Sequence, residues 1–297
     1  MARVLRSPMD AISCSFLPAC CTLCGSPLSQ LVSVPICDVC WTEIPVHSGS
    51  ACACCGDTLD APVDSSSVAL CRACRLAPPP LARAVAFGLY QDRMRAAIHA
   101  LKYDRIHPAA SQWGRMLAEA IAQLASEAPH EMLVVPVPLH RSKFTQREFN
   151  QARSPAGHAL GFPRKSHPQW KLTLASSTLV RLRATTSQAG LTPRQRRLNV
   201  RAAFSVSNPA EVASRHVLLI DDILTTGATA RSAGRALVRA GAASVWVATL
   251  ARARRINEFR TRSAIEGTAN DSGPFLYTAA SFVQGVSIHS SQDQPSF

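Results

Sequence analysis

All eleven cysteines of this 297-residue chain lie between Cys14 and Cys74, in a stretch rich in proline and small residues. That stretch shows no sustained helical or strand period, so it has no apolar face with which to build a core. Something other than packing must hold it. Eight of the cysteines form four CxxC pairs: Cys21/Cys24, Cys37/Cys40, Cys52/Cys55 and Cys71/Cys74. Two intervening residues let both thiolates of one turn converge on a single cation, and two such turns complete a tetrahedral shell around zinc. Twelve residues separate Cys24 from Cys37 and fifteen separate Cys55 from Cys71, each about the length of a small hairpin. Pairing in chain order, two zinc ribbons in tandem, is the simplest solution, with Cys14, Cys20 and Cys54 left over. A thioredoxin-like use of a CxxC needs a pair at a βα turn, which a loop-rich segment does not supply. Disulfides suit exported chains, and the N-terminus, Arg3 and Arg6 before a brief apolar run broken by Pro18, is a poor signal peptide. The expected location is cytoplasmic, with the thiols free for metal.

The segment APPPLAR, 77–83, closes the cysteine block, since consecutive prolines continue neither a helix nor a central strand. Beyond it the periods lengthen. Helical spacing runs through 93–103 and 113–125, apolar strand-like runs cover 132–138 and 216–220, and a helix from about Thr229 to Ala240, ended by Gly241, precedes the strand ASVWVATL. Strands alternating with helices predict a doubly wound α/β domain, a parallel sheet flanked by helices. The expected organisation is a small zinc-ribbon domain over 1–80, the α/β domain over 81–255, and a poorly ordered polar tail over 256–297. At 47% apolar content the chain can bury a core, and its longest apolar runs fall far short of the roughly 20 residues that span a bilayer. No membrane insertion is expected.

The run VLLIDDILTTGATA, 217–230, carries the most chemistry. Its apolar start is a buried strand, and open α/β sheets bind ligands just past the carboxyl ends of their strands. Asp221 and Asp222 fall there. Adjacent carboxylates accept hydrogen bonds from neighbouring ribose hydroxyls and hold water around a divalent cation. Next, Thr225, Thr226 and Thr229 offer hydroxyls. Gly227 and Ala228 sit where backbone N–H groups at a helix N-terminus approach an anion closely. Carboxylates for a sugar beside amides for a phosphate describe a site for a 5-phosphorylated ribose.

The same run closely resembles the phosphoribosyl pyrophosphate (PRPP) signature of type I phosphoribosyltransferases. The chain from Cys21 to Arg255 resembles the ComF family of competence-related proteins. The likeness also takes in the cysteine block, similar to the family's double zinc ribbon, and the segments IHALKY (98–103), PVPLHRSKFTQREFNQA (136–152) and RLRATTSQAGLTPRQRRLNVRAAF (181–204). It implies a type I phosphoribosyltransferase-like sheet, with Asp221 and Asp222 on ribose hydroxyls, Thr225 to Thr229 on the 5′-phosphate, and Mg²⁺ bound with PRPP. One position departs. The family usually has Gly where Glu148 stands, and a negative side chain there disfavours a positive φ and repels a nearby pyrophosphate.

Charge gives the remaining expectations. Of the formal net charge of +13, the span 81–215 holds 20 basic against 7 acidic residues, so a polyanion belongs with the middle of the chain. Arg141 and Lys143 follow a strand end and, with Arg147, are the candidate pyrophosphate cations. The long basic stretch from Arg181 to Arg201 reads as a lid opening with Arg181 and Arg183. His99 and His107 have no spaced metal partner. These features predict a Mg-dependent transfer of ribose 5-phosphate from PRPP to a nitrogen acceptor that the sequence does not specify. The competing expectation is a non-catalytic module that handles single-stranded DNA or meets competence proteins and keeps a regulatory or vestigial PRPP pocket. Aromatics, at 6%, form no base-stacking pattern.

Overall fold

The computed structural model describes residues 20–28, 34–47, 49–59, 68–103, 110–138, 153–161, 167–182 and 203–254. Its centre is a five-stranded parallel sheet in the order β1-β7-β6-β2-β3. The strands are β1 (Arg83–Leu89), β2 (Glu131–Pro136), β3 (Lys171–Leu174), β6 (His216–Leu224) and β7 (Ser244–Arg252). A separate antiparallel pair joins β4 (Leu179–Arg181) to β5 (Phe204–Val206), with Arg181 opposite Phe204. Two short helices, α1 (Asp38–Thr42) and α2 (Arg72–Leu76), lie in the cysteine block. Then come α3 (Asp92–Tyr103), α4 (Ala110–Ala122), α5 (Arg153–Ala159), α6 (Pro209–Val212) and α7 (Ala228–Arg239).

Side chains alternate across a strand, so β6 feeds two cores. Leu218 and Ile220 enter a cluster with Met94 and Ile98 of α3 and Trp113, Leu117 and Ile121 of α4. Val217 and Leu219 face the other way, against Ala230, Ala233 and Leu237 of α7. Burial on both faces is why β6 and β7 read as continuous apolar runs rather than alternating ones. The parallel α/β expectation holds. β6, however, extends four residues past the predicted end at Ile220. The long β7 stays in register with it through Leu224 opposite Arg252, which keeps Asp221 and Asp222 within the strand.

The cysteine block packs on the β1 edge. Edge strands carry unpaired backbone groups, and the block meets them directly: Ala84 N donates to Cys54 O and His47 N to Phe87 O, both at 2.8 Å, while Val46 bridges Gly88. Trp41 meets Trp113 edge to face at 5.4 Å, and Ile44 is buried in the α3–α4 core. Arg231 of α7 donates to Ala77 O in the proline segment. The described residues form one compact unit, and the expected tail, 256–297, lies outside them. Among the described residues no helix is long and apolar enough to cross a membrane.

Two glycines mark how close the approach is. A Cβ on Gly88 would lie 2.3 Å from Pro45 O, and one on Gly56, at φ +64°, would lie 2.6 Å from Ala84 O. Neither neighbour is a flexible side-chain end, so the backbone itself would have to shift. Gly88→Ala and Gly56→Ala are each expected to destabilise the fold by about 1–3 kcal/mol through overpacking, read by denaturant unfolding. Gly157→Ala, where a Cβ meets nothing within 4 Å, is the neutral control.

Candidate functional site

The sheet partner β2 ends with Pro136 opposite Ile220, and Val137 N makes a last bond to Ile220 O at 2.8 Å. Among the described residues, β6 from Asp221 onward pairs with β7 alone. Asp221 and Asp222 are half-buried there. Asp221 Oδ1 accepts the Asp222 N–H at 2.9 Å, which fixes the first carboxylate against its own backbone. Gly227 follows in the left-handed region at φ +73°, ψ 13°, and caps α7. An L-residue with a side chain would pay about 1–2 kcal/mol for that conformation. Thr226 Oγ1 accepts from Ala228 N at 3.4 Å, and the first turn of α7 holds no acidic residue. The positive end of a 12-residue helix thus remains available to an anion beside two carboxylates. Thr225, Thr226, Gly227 and Thr229 are partly exposed and Ala228 is buried beneath them.

Arg181 joins this group. Its guanidinium lies 5.3 Å from the Phe204 ring centroid. Burial holds its pKa below the usual arginine range, opposed by the negative charge of Asp221. Arg181, at the base of the expected lid, therefore lies within electrostatic reach of the first carboxylate. Arg141, Lys143, Arg147, Arg183, Glu148 and Cys14 lie outside the described residues.

Arg252 was not anticipated. It is 1% exposed at the end of β7, and its Nη1 donates to Leu224 O at 2.6 Å, to Thr225 O, and to Ala253 O at 2.9 Å. Its Nη2 stands 3.1 Å from Asp57 Oδ1. A charged residue closing an unbroken apolar strand at the ligand-binding end of a sheet was the available signal, because buried charge is costly without a partner.

The eight paired cysteines fall into the two predicted sets, Cys21/Cys24/Cys37/Cys40 and Cys52/Cys55/Cys71/Cys74, with the ligand atoms of each set within 4.8 Å of one another. Each set uses the same parts. A CxxCG turn closes with a glycine at positive φ, its N–H bonded to the first cysteine's carbonyl, and a short helix, α1 or α2, starts directly after the third cysteine. Sulfur separations of 3.7 Å (Cys21–Cys40 and Cys55–Cys71) and 3.8 Å (Cys24–Cys37) are seen. They match the edge of about 3.8 Å of a tetrahedron with 2.3 Å Zn–S bonds. Protonation is divided within each set. The Ser26 hydroxyl lowers Cys24 to about 6, and the Cys55 thiol lowers Cys52 to about 4, whereas burial raises Cys40 and drives Cys74 to about 12. Four thiols this close cannot all ionise unless a cation joins them, so both sets fit zinc. Cys20 is exposed, and the Cys54 thiol points to Leu81 O at 3.6 Å.

Comparison with known proteins gives three kinds of likeness. The phosphoribosyl transferase domain family matches residues 170–287. DNA utilization protein YhgH of Salmonella typhi is 32% identical over 241 residues, covering 80% of this chain and 98% of that protein, and its Escherichia coli K12 counterpart matches to the same extent. Competence protein F of Haemophilus influenzae is 24% identical over 237 residues, covering 78% of this chain and 90% of its own. Among solved structures, an allosteric regulatory enzyme of purine biosynthesis shares 21% identity over 48% of this chain and 26% of its own, with a TM-score of 0.29. A Staphylococcus aureus hypoxanthine phosphoribosyltransferase shares 16% over 51% and 69%, with a TM-score of 0.27. These structural overlaps are too slight to carry an argument. The sheet and its flanking helices are those of a phosphoribosyltransferase-like fold.

Metal analysis of purified protein is expected to find two zinc ions per chain. Chelation should unfold the cysteine block, since structural zinc sites contribute on the order of 10–16 kcal/mol. Thiols oxidised in pairs with no zinc would defeat the assignment.

Proposed function

Because the chain belongs to the ComF family of competence-related proteins, with its phosphoribosyltransferase-like domain, we propose that it binds PRPP with Mg²⁺ and transfers ribose 5-phosphate to a nitrogen acceptor. One observation carries this reading: two half-buried carboxylates of β6 stand beside a left-handed glycine and a helix N-terminus free of acidic residues. Amides of the α7 first turn and the Thr225, Thr226 and Thr229 hydroxyls take the 5′-phosphate, and Asp221 and Asp222 take the ribose hydroxyls. Asp221 already commits Oδ1 to the Asp222 amide, so the pair suits a cation held through water and substrate oxygens, not a closed protein cage. When bound, Mg²⁺ neutralises charge on the departing pyrophosphate. The chain's own part is to hold the sugar in line and bring Arg181, with the basic segment it opens, towards the leaving group.

A second reading draws on the relatives' names, which speak of DNA utilization and competence, and on the net charge of +13. In it the cationic face handles single-stranded DNA and the PRPP pocket regulates.

Calorimetry against PRPP with Mg²⁺ tests the first reading. Changing Asp221 and Asp222 together to Asn should weaken binding about tenfold or more, as each charge-assisted bond is worth roughly 1.5–3 kcal/mol. Unchanged affinity, or no binding by the unmodified protein, would remove the enzyme reading.

Arg181→Ala separates the two readings. As part of a lid, it should leave PRPP binding largely intact and abolish pyrophosphate release. As part of a DNA face, it should instead weaken single-strand binding and reduce the salt slope by about 0.7 per lost phosphate contact. Glu148→Gly should raise pyrophosphate release if the Glu148 charge spoils the pyrophosphate site.

A further inference from the structure

Arg252 reaches from one cysteine cluster to the phosphate loop, and the direction of the peptide groups says what that reach accomplishes. In a trans peptide the C=O of one residue and the N–H of the next point in opposite directions. Arg252 Nη1 draws the Leu224 and Thr225 carbonyls towards the buried side. The N–H groups of Thr225 and Thr226 are thereby turned to the opposite side, and the carbonyls, which would repel a phosphate, are removed from it. The strand ladder supports the same orientation, since Ala253 N donates to Leu224 O at 3.0 Å.

A guanidinium this deeply buried keeps its place only if its charge is matched, and Asp57 supplies the match at 3.1 Å. Asp57 is itself anchored within the second cysteine turn. Its carbonyl accepts the Cys52 N–H at 2.8 Å, and the preceding Gly56 is pressed against Ala84 O. The chain of contact runs from the Cys52–Cys55 turn through Asp57 and Arg252 to Leu224 and Thr225.

We propose that Arg252, anchored by Asp57, is a positioning residue for the phosphate loop, so that the second cysteine cluster sets the geometry with which the loop meets its ligand. This rests on the PRPP reading above, but its first test needs no ligand. Hydrogen exchange of the full-length, zinc-loaded protein would be compared with that of Asp57→Asn, which keeps the shape and removes the charge, and of Arg252→Lys, which keeps the charge and loses the planar fork. Exchange across 224–229 is expected to quicken at least tenfold in Asp57→Asn and less in Arg252→Lys, with β2, α4 and the zinc content unchanged. The dissociation constant for PRPP with Mg²⁺ should rise about tenfold in Asp57→Asn.

Unaltered exchange at 224–229 in a folded, zinc-loaded Asp57→Asn protein would overturn the proposal. So would equal acceleration in β2 and α4, which marks a general loss of stability. If Asp57→Asn does not fold, Arg252→Lys decides by the same criterion. Should the unmodified protein fail to bind PRPP, the enzyme reading falls while the exchange result still decides the role of Arg252.

Discussion

A parallel sheet leaves its outer strands with backbone groups that nothing in the sheet can satisfy, and at β1 the partner is a segment whose own buried clusters are small and built around its cysteines. Each side lacks what the other provides. The cysteine block brings carbonyl and amide partners to Ala84, Phe87 and Gly88, and the sheet domain supplies the apolar ground on which Ile44 and Trp41 rest. Neither the small CxxCG turns nor the exposed β1 edge would be expected to persist alone. The close approaches at Gly56 and Gly88 follow, because main chain can meet main chain this tightly only where a Cβ is missing.

From that edge the register of the sheet leads inward to the site. β7 pairs with β1 on one side and with β6 on the other, and both pairings run to Arg252. β2 stops four residues sooner on the far side of β6. Past Ile220 the described ladder supports β6 along its β7 edge, which holds the strand firmly enough to place two half-buried carboxylates. Asp221 and Asp222 are therefore set by where β2 ends as much as by their own place in the sequence.

The sequence was most legible where one residue type has one physical use. Four CxxC pairs gave both four-cysteine clusters, and the Asp-Asp and Thr-Thr-Gly pattern after an apolar strand marked the turn into α7. It was less legible where tertiary pairing decides. The end of β6 moved from Ile220 to Leu224 because β7 continues beside it. Strands β1, β3, β4 and β5 passed unnoticed, the last three being only three or four residues long, too short for a period to show. Arg252 and Asp57 are 195 positions apart, and no local pattern announces such a pair.

Among the described residues, arginines that contribute to the net charge of +13 lie at both ends of the strands. At the amino ends, Arg83 with Glu127 and Arg215 with Glu131 form exposed pairs, and such surface pairs contribute at most about 1 kcal/mol. At the carboxyl end of β7, Arg252 is buried against Asp57, and the half-buried Arg181 of the β4–β5 pair lies within the field of Asp221. The amino-end pairs are solvated, whereas Arg252 donates to the Leu224 and Thr225 carbonyls where the strand turns towards α7. A parallel sheet aligns all its carboxyl ends on one side, and among the described residues the one buried arginine, Arg252, stands there.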